Sequence, residues 1–372
     1  MKHLTQKRSV TLAHHWLVGM RGGEKVLEQF CILFPDAPIT TLVSDTERLS
    51  DLLQSRRILN SSLQYLGGKK FYKQMMPLFP MVIPMTSVGE EGGIVLSSDA
   101  SVIKGFRIAK NAIHICYCHS PPRYLWDLQK TYEERSAGMG FLARTAFRLV
   151  VPFVRDFDRK AAERVDHFIA NSRFVQQRIR RFYGRDSEVI HPPVEVDTFN
   201  PTHSREDFYL IVSELTPYKR VDLAIEAFRG FKGRLIIIGD GPEGSHLRAT
   251  APQNVTFLGR QSFAILKDHL QRCRAFIHPQ IEDFGITAVE AMAAGAPVIA
   301  YREGGALETV IEGTTGMFFD HQSSESLKAA LMEFEREFKT DSQASSTHAQ
   351  RFSQERFCNE ITDYINKKIH DR

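Results

Sequence analysis

The chain has 372 residues, of which 42% are hydrophobic and 25% are charged. This composition is typical of a globular protein with one or two domains, and it excludes a long disordered or low-complexity chain. No apolar run reaches the roughly 18 residues that a membrane-spanning helix needs. Because the N-terminal residues also lack the apolar core of a signal peptide, we expect a cytoplasmic protein.

Charge distribution and cysteine content indicate what kind of partner the protein binds and whether disulfides stabilise it. The net charge is +4, but residues 1–200 hold 28 Lys and Arg against 20 Asp and Glu, whereas residues 201–372 hold 20 against 24. The basic half is therefore expected to face an anionic partner. The five cysteines are scattered and odd in number, which argues against a disulfide framework. Cys116 and Cys118 are interpreted as buried small apolar residues rather than metal ligands.

The first apolar run, Val10 to Val18, predicts a β-strand, and Gly22 and Gly23 follow it in a loop that leads into a helix. A strand, a glycine loop and a helix start together form a place where backbone N–H groups bind anions. A plain tight turn would have the same sequence, so both interpretations stay open. Arg21 is a candidate for an additional cation at this point.

The segment 67–85 combines three lysines with aromatic residues, four methionines and three prolines. The prolines exclude one continuous helix. Apolar and aromatic side chains behind a basic pair are suited to contact with lipid headgroups or a lipid-linked acceptor. A packed loop is the alternative. After this segment, Gly93 to Ser97 predicts a strand, and the residues from Ser98 onward are predicted to begin a helix.

A further strand must end at Ser120, because Pro121 and Pro122 cannot continue it. His119 is therefore predicted at the carboxyl end of a strand, where an imidazole can bind a hydroxyl or stabilise developing charge. His114 lies inside the same strand and is interpreted as structural.

The proline-rich stretch 189–201 predicts the crossing into a second domain. A strand over 208–212 follows, and then a loop and an amphipathic helix with Lys219 and Arg220 near its start. Lysine and arginine at this position could neutralise an anionic ligand.

The most informative stretch is 276–301, which predicts a strand, a loop, a helix from about Thr287 to Gly295 and another strand. Glu282 lies in the loop and Glu290 in the first turn of the helix. Both carboxylates are thus predicted at the carboxyl edge of a parallel sheet, where such sheets bind ligands. The alternatives are a solvated loop glutamate at Glu282 and a capping box formed by Thr287 and Glu290.

The string from Glu282 to Ala300 closely resembles the E-x7-E signature of the family 4 glycosyltransferases, and the resemblance covers nearly the whole chain. It implies an α/β protein with the GT-B fold, in which two facing Rossmann-like domains enclose a substrate cleft. The domains would be 1–198, joined by the C-terminal helix 352–372, and 199–351. The run from His119 to Asp127 is most similar to bacterial mannosyltransferases that build O-antigen and exopolysaccharide repeats.

The resemblance also implies roles for the second domain. Glu290 would accept hydrogen bonds from ribose hydroxyls and Glu282 from a sugar hydroxyl. Lys219 and Arg220 would neutralise the leaving diphosphate. Backbone N–H groups at the helix start would meet sugar and phosphate, and these belong to Phe284, Gly285, Ile286 and Thr287.

In the first domain, the same resemblance implies that Gly22 and Gly23 lie next to the donor diphosphate. His119 would line the cleft beside the transferred sugar. The candidates for the acceptor side are Arg123, Trp126 and Asp127, with a structural role as the alternative for Trp126.

The sequence departs from the family at one point. Many relatives carry a Gly/Ser-Arg-Leu triplet whose arginine binds the diphosphate, but this chain has Ser213-Glu214-Leu215. One phosphate cation is therefore missing from its usual place. Either Arg220 or Arg21 compensates for it, or the affinity for the donor is weaker.

Together these features predict a retaining hexosyltransferase that uses a nucleotide sugar, GDP-mannose first, and acts on a saccharide or polyprenyl-linked acceptor in cell-surface polysaccharide synthesis. We expect a peripheral location at the inner face of the membrane, no nucleic-acid partner and no metal requirement. The alternatives are a glycosyltransferase that uses a UDP- or ADP-sugar, a phosphorylase or epimerase of the same architecture, and a non-catalytic carbohydrate-binding protein on a GT-B scaffold.

Overall fold

The computed structural model describes residues 8–129, 141–201 and 204–370, with side chains from residue 145 onward in the second range. The chain forms two compact units. The first comprises Met1–Pro193 together with Phe357–Arg372, and the second comprises Val194–Arg356.

A seven-stranded parallel sheet forms the centre of the first unit, with strand order β3-β2-β1-β5-β7-β8-β9. Its central strands β5 and β7 are buried along their whole length, as expected for a parallel sheet covered on both faces. The strands of this unit, including the separate pair β4 and β6, are β1 (Val10–His14), β2 (Ile39–Thr41), β3 (Ile58–Asn60), β4 (Ser87–Val88), β5 (Ile94–Asp99), β6 (Arg107–Ile108), β7 (Ile113–Cys118), β8 (His167–Ala170) and β9 (Ser187–Val189). Ser98 therefore lies in a strand, and the prediction that it begins a helix is wrong.

Helices cover both faces of this sheet. They are α1 (Gly22–Leu33), α2 (Asp51–Gln54), α3 (Gly68–Phe71), α4 (Phe79–Val82), α5 (Phe141–Glu163), α6 (Arg173–Tyr183) and the C-terminal helix Gln354–His370. The side chain of Ser172 caps α6 by accepting a hydrogen bond from the N–H of Val175, a role for which serine is a preferred residue. Phe357 of the C-terminal helix stacks on Phe30 of α1, with 5.8 Å between the ring centroids. Cys116 and Cys118 are buried in β7, as expected.

The proline-rich segment 67–85 is divided into short helical pieces, α3 and α4 among them. This confirms that the prolines interrupt a helix. Three of its side chains, Met76, Phe79 and Ile83, enter the core. Met85 at the end of the segment is 77% exposed to solvent. Tyr65, which lies just before the segment, is 86% exposed.

One group of charges is completely buried in this unit. Asp99 ends β5, Lys104 lies in the following 3₁₀ turn, and Asp158 belongs to α5. The Lys104 ammonium lies 3.2 Å from an oxygen of Asp99 and 2.5 Å from an oxygen of Asp158. Burial alone would lower the pKa of Lys104, but the two carboxylates outweigh it and raise the pKa. The three residues therefore form a closed ionic cluster.

The second unit contains a six-stranded parallel sheet with strand order β12-β11-β10-β13-β14-β15. Its strands are β10 (Tyr209–Val212), β11 (Leu235–Ile238), β12 (Val255–Gly259), β13 (Ala275–His278), β14 (Val298–Tyr301) and β15 (Gly316–Phe319). In both sheets the strand order reverses next to the first strand of the unit, between β1 and β5 and between β10 and β13. Open α/β sheets bind their ligands at this switch point.

The helices of the second unit are α7 (Val221–Ala227), α8 (Gly244–Thr250), α9 (Phe263–Arg272), α10 (Ile286–Ala293), α11 (Ala306–Thr309), α12 (Ser324–Glu337) and α13 (Ser342–Ala349), followed by α14 (Gln354–His370), whose residues from Phe357 onward belong to the first unit. Helix α10 ends at a left-handed glycine, Gly295 with φ 77°, as predicted. Helix α13 lies in the polar stretch 340–350, where the sequence pattern predicts a connection between two helices and not a helix. Among the helices of the described ranges, none combines the length and apolar composition needed to cross a bilayer.

Candidate active site

The switch point of the second unit brings two loops together, one after β10 and one after β13. Lys219 ends a 3₁₀ turn in the first loop, and Glu282 lies in the second. The Lys219 ammonium donates a hydrogen bond to the Glu282 carboxylate. About a fifth of the lysine side chain and a quarter of the glutamate side chain remain exposed. The structure thus joins two predicted site residues, 63 positions apart in sequence, in one ion pair that solvent can reach.

Two buried polar side chains, Gln280 and His278, lie beside Glu282. The amide nitrogen of Gln280 lies 3.0 Å from a Glu282 oxygen and 3.3 Å from Nδ1 of His278. Burial lowers the pKa of His278 to about 4, so its ring is neutral at neutral pH. Since an amide nitrogen donates, Nδ1 of this neutral ring accepts and its proton lies on Nε2. Gln280 and His278 were not predicted from sequence, although two polar residues that close an apolar strand are a recognisable signal.

The carboxylate of Glu282 is held in its charged form. Burial would raise its pKa, but the Lys219 ammonium and the polar groups around the carboxylate outweigh this effect and lower the pKa below the ordinary range of a glutamate. Glu282 can therefore accept hydrogen bonds at any pH near neutrality.

The loop of Glu282 is fixed by the loop after β14. The N–H of Gly305 donates to the backbone carbonyl of Glu282 at 2.8 Å. A Cβ atom at Gly304 would lie 2.5 Å from that carbonyl oxygen, and one at Gly305 would lie 2.4 Å from Cα of Phe284. These two glycines thus permit close packing of two backbones. The sequence Glu303-Gly304-Gly305 also predicts a glycine-rich helix start, and α11 begins directly after it, at Ala306, with four residues.

Glu290 lies in the second turn of α10, not in the first as predicted. The helix begins at Ile286, and Gly285 precedes it with φ 91°, a left-handed conformation that favours glycine. The N-cap is Gly285 and Thr287 lies inside the helix, so Thr287 does not occupy the N-cap position that the predicted capping box requires. Glu290 itself is only 8% exposed.

The other predicted site residues near Glu282 are Phe284, Ile286 and Thr287, and they differ in how much of each residue a ligand could reach. The ring of Phe284 is buried and contacts Phe352 at 5.5 Å between centroids, so only its backbone could meet a ligand. Ile286 packs against the core of the unit, and Thr287 is half-buried. The N–H groups at the start of α10 lie next to the Glu282 loop in sequence, and a helix start favours an anion.

Arg220 lies directly after Lys219 with a left-handed backbone, φ 52°. Its guanidinium lies 3.2 Å from the side-chain oxygen of Gln322, and the amide nitrogen of Gln322 donates to the carbonyl of Pro279 at 3.0 Å. Arg220 is thereby connected to the end of β13. Glu214, which replaces the arginine of many relatives, is exposed in the loop after β10.

The switch point of the first unit holds a different set of groups. His119 follows β7, and its Nε2 lies 2.7 Å from the hydroxyl of Ser98 on β5. The same hydroxyl lies 3.1 Å from Nδ1 of His14, the last residue of β1. A Cβ atom built on Gly23 would lie 3.6 Å from Nε2 of His119 and 3.3 Å from the His14 ring. The structure therefore brings two predicted site residues, His119 and Gly23, together with two that sequence reasoning did not identify.

Gly22 and Gly23 lie in the first turn of α1, not in a loop before it as predicted. Arg21 precedes the helix in an extended conformation, and its N–H donates to the carboxylate of Glu24 at 3.0 Å. Glu24 thus satisfies a backbone group at the helix start. The strand before it is also shorter than predicted and ends at His14.

The acceptor-side candidates of the first unit have structural partners. Trp126 donates to Asp158 at 2.9 Å, and its ring stacks on Phe182 at 4.8 Å. Asp127 pairs with Arg178 on α6. These contacts favour the structural interpretation of Trp126. Arg123 is half-buried.

Within residues 8–129, 141–201 and 204–370, no three His, Cys, Asp or Glu side chains are grouped so that they could hold a metal ion. The chain has one Asp-x-Asp sequence, Asp156-Phe157-Asp158. Asp156 is exposed and pairs with Lys160, whereas Asp158 is buried with Lys104. The two carboxylates thus have separate surroundings. Whether the reaction needs a metal stays a prediction.

Two regions of the chain match known families. Residues 195–351 match the family described as Glycosyl transferases group 1, and residues 96–198 match Glycosyltransferase Family 4. An uncharacterised glycosyltransferase of Methanocaldococcus jannaschii is 29% identical over 184 residues, which cover 48% of this chain and 52% of the relative. The D-inositol 3-phosphate glycosyltransferase of Mycolicibacterium smegmatis is 28% identical over 223 residues, covering 53% and 51%. The chain thus spans about half the length of these curated relatives.

Several solved structures share the fold over almost the whole chain. Sucrose-phosphate synthase from Thermosynechococcus elongatus superposes with a TM-score of 0.71 at 15% identity, covering 98% of this chain and 100% of that one. Anabaena HepE in complex with UDP and glucose gives 0.68 at 16% identity, covering 97% and 100%. The lipopolysaccharide outer core galactosyltransferase WaaB gives 0.65 at 18% identity, covering 97% and 99%. With its two Rossmann-like units and these structural neighbours, the chain has the GT-B fold, and its residues 195–351 match the group 1 glycosyltransferase family.

Proposed function

We propose that this protein is a retaining glycosyltransferase that moves a hexose from a nucleotide sugar to a saccharide or polyprenyl-linked acceptor. The observation that carries the proposal is the ion pair between Lys219 and Glu282. It lies at the switch point of the second sheet, inside the region that matches the group 1 family. An ammonium and a charged carboxylate at such a site are suited to a leaving diphosphate and a sugar hydroxyl, respectively.

The ion pair has a simple role in the proposed reaction. When the donor binds, the Lys219 ammonium turns from the carboxylate to the diphosphate, and Arg220 supplies a second positive charge beside it. These cations stabilise the charge that develops on the leaving group. Glu282 then accepts a hydrogen bond from the sugar, and Gln280 keeps the carboxylate in place.

Glu290 and the start of α10 complete the proposed donor site. Glu290 accepts hydrogen bonds from the ribose hydroxyls, and the N–H groups from Phe284 to Thr287 meet the sugar and phosphate. His119 and the glycines at the start of α1 serve the transferred sugar and the diphosphate from the first unit.

Retention is proposed to proceed by attack on the same face of the sugar, with a leaving phosphate oxygen as the base for the acceptor hydroxyl. Cations in the protein would take the part that a divalent metal plays in other phosphate-transfer sites. We therefore propose that transfer needs no metal.

GDP-mannose is the first donor in this proposal, because the run from His119 to Asp127 resembles bacterial mannosyltransferases. A UDP-hexose is the second candidate. It is favoured by a specific observation, since HepE, which shares the fold, is bound to UDP and to UDP-glucose in its solved structures. The acceptor belongs to cell-surface polysaccharide synthesis in either case.

Calorimetric titration of the protein with GDP, UDP and ADP tests the nucleotide, and the best nucleotide then selects the sugars for a transfer assay. We expect GDP to bind most tightly and GDP-mannose to be consumed when acceptor is present. Transfer should continue in the presence of a chelator. No binding of any nucleoside diphosphate and no transfer from any of the matching donors would instead favour the non-catalytic carbohydrate-binding alternative.

We also propose that the first unit contacts an anionic membrane surface. Leu66 and Met81 are more than 60% exposed near Lys70 and Lys73. Leu149 is 74% exposed on α5, the helix that packs against this segment in the core. Apolar side chains interleaved with lysines suit the headgroup region of an anionic bilayer, where a polyprenyl-linked acceptor would be found.

A further inference from the structure

Four polar side chains form a connected series across three neighbouring strands of the first unit, through one ion-pair contact and two hydrogen bonds. It runs from Glu24 on α1 to His14 at the end of β1, then to Ser98 on β5 and finally to His119 after β7. The successive distances are 3.7 Å from Glu24 Oε1 to His14 Nε2, 3.1 Å from His14 Nδ1 to Ser98 Oγ, and 2.7 Å from Ser98 Oγ to His119 Nε2. His14 and Ser98 are fully buried.

The single hydroxyl proton of Ser98 couples the tautomers of the His14 and His119 rings. A serine hydroxyl has one proton to donate, and a neutral imidazole has one donor nitrogen and one acceptor nitrogen. Ser98 can therefore donate to only one of the two rings. When it donates to His14, its oxygen is available to accept the Nε2 proton of His119. The tautomer of one ring thus constrains that of the other.

Glu24 determines which groups donate and which accept in the hydrogen bonds among His14, Ser98 and His119. One carboxylate oxygen accepts from the N–H of Arg21, and the other faces Nε2 of His14. A nearby negative charge favours a proton on the nitrogen that faces it. Nε2 of His14 therefore carries the proton, Nδ1 accepts from Ser98, and Ser98 accepts from Nε2 of His119.

We propose that Glu24, His14 and Ser98 are positioning residues, which hold the His119 ring in place with its proton on Nε2. In this tautomer Nδ1 of His119 is an acceptor. The inference rests on the proposed function in one respect, since His119 would then receive a hydrogen bond from a hydroxyl of the transferred sugar.

Gly23 fits the same arrangement. A Cβ atom at this position would lie within 3.7 Å of the His14, His15 and His119 rings. The glycine thus leaves room for three imidazoles at one helix start. This role in packing is independent of any contact between Gly23 and a phosphate.

The sheet itself supplies a matched control. Ser97 forms an equivalent bond, with its hydroxyl 2.9 Å from Nε2 of His114 on the same two strands. Because successive residues of a strand face opposite sides of the sheet, this pair has no part in the chain to His119. Ser97→Ala therefore removes a buried serine–histidine bond of the same kind without touching His119.

The experiment compares Ser98→Ala, Ser98→Thr and Ser97→Ala with the wild type. Histidine-selective ¹⁵N labelling and NMR report the tautomer of each ring, and the His119 signals are identified from their loss in His119→Asn. We expect a protonated Nε2 on His119 in the wild type, with a ring proton protected from exchange. Ser98→Ala should abolish this protection, while Ser98→Thr, which keeps the hydroxyl, and Ser97→Ala should retain it.

Kinetics provide the second measurement. Loss of the hydrogen bond in Ser98→Ala should lower kcat about tenfold with little change in the KM for the donor, and Ser98→Thr should restore most of it. Thermal unfolding of Ser98→Ala and Ser97→Ala verifies that both variants fold equally well. Ser97→Ala should retain wild-type kcat.

The inference is overturned if the wild-type ring has its proton on Nδ1, if no protected ring proton is found, or if Ser98→Ala leaves the His119 signals unchanged. The NMR measurement does not depend on turnover. A protein with the expected ring signals and no transferase activity would refute the proposed function alone. Transfer with an unaffected His119 ring in Ser98→Ala would refute the inference alone.

Discussion

The two units each hold a lysine paired with carboxylate after a strand at the switch point of a parallel sheet. In the first unit, Lys104 contacts Asp99 and Asp158, and its side chain is 1% exposed. In the second unit, Lys219 contacts Glu282, and its side chain is 19% exposed. Both lysines belong to a 3₁₀ turn that follows the strand. The two units therefore place a lysine in the same local structure, a 3₁₀ turn after a strand, but the two ion pairs differ in how far they are buried.

The difference in burial separates a structural pair from an available one. Lys104 has two carboxylates around it, and Asp158 also accepts hydrogen bonds from Trp126 and Tyr183. No ligand can compete for a charge that is enclosed in this way. Lys219 is paired with Glu282 and is partly open to solvent, so an incoming diphosphate can replace Glu282 as its partner. Position in the fold alone does not distinguish these roles, but the surroundings of each lysine do.

The largest expected effect is on stability, at the closed cluster. Lys104→Met leaves Asp99 and Asp158 buried without their cation, which should cost about 3–5 kcal/mol of unfolding free energy. Chemical denaturation measures the loss. The control is Lys160→Met, which removes an exposed partner of Asp156 on the same helix and should leave the unfolding midpoint nearly unchanged. Equal stability of the two variants would contradict the distinction between closed and open pairs.

At the open pair the effect should appear in turnover. A carboxylate about 5 Å from the positively charged sugar of the transition state contributes roughly 3 kcal/mol at an effective dielectric constant near 20. Glu282→Gln should therefore lower kcat on the order of a hundredfold, with the affinity for the bare nucleoside diphosphate nearly unchanged. Asp283→Asn, in the same loop, is the control and should retain turnover. Normal turnover of Glu282→Gln would remove Glu282 from the catalytic residues.

Glu290 should affect binding rather than turnover. If it accepts from the ribose hydroxyls, Glu290→Gln loses a charged hydrogen bond of roughly 1.5–3 kcal/mol, and nucleotide affinity falls on the order of tenfold to a hundredfold. Isothermal titration with the preferred nucleoside diphosphate measures this. Unchanged affinity together with reduced thermal stability would mean that this buried carboxylate has only a structural role.

The smallest expected effect concerns two exposed lysines of the proposed membrane contact, Lys70 and Lys73. Each lysine near an anionic surface contributes about 1 kcal/mol, so Lys70→Gln and Lys73→Gln should each weaken binding to phosphatidylserine-containing vesicles about fivefold at low salt. Lys232→Gln, an exposed lysine of the second unit, is the matched control. Vesicle co-sedimentation that is equal for all three variants would contradict this surface.

The strands of the second unit were the most predictable part of the fold. The apolar runs Val255 to Gly259 and Val298 to Tyr301 predict two strands, and β12 and β14 begin and end at these residues because turn residues bound the runs. The short strands β2 and β3, with three residues each, leave too little periodicity for recognition. Helix α13 is composed largely of Ser, Thr, Gln and Ala. It forms because Asp341 caps it and because its small residues pack against α10, and neither contact is visible in a local sequence pattern.

For the site, the sequence predicted residue types at strand ends better than their partners. The signature around Glu282 and Glu290 located the switch point of the second sheet, but Gln280 was not identified because its role depends on a bond to Glu282 that only the folded loop creates. Ser98 was expected to begin a helix, since polar residues after an apolar run resemble a helix cap. Its actual position in β5, beside His14 and His119, depends on the pairing of strands far apart in the chain.

The contact of Gly304 and Gly305 with the Glu282 loop has a consequence for protein engineering. Because a side chain at either glycine would overlap the backbone of residues 282–284, the two loops behave as a single part in any redesign. Transplanting one loop from a relative with another donor preference would displace the other unless both were exchanged together. Libraries aimed at donor selectivity should therefore keep both glycines fixed and vary the side chains that surround them.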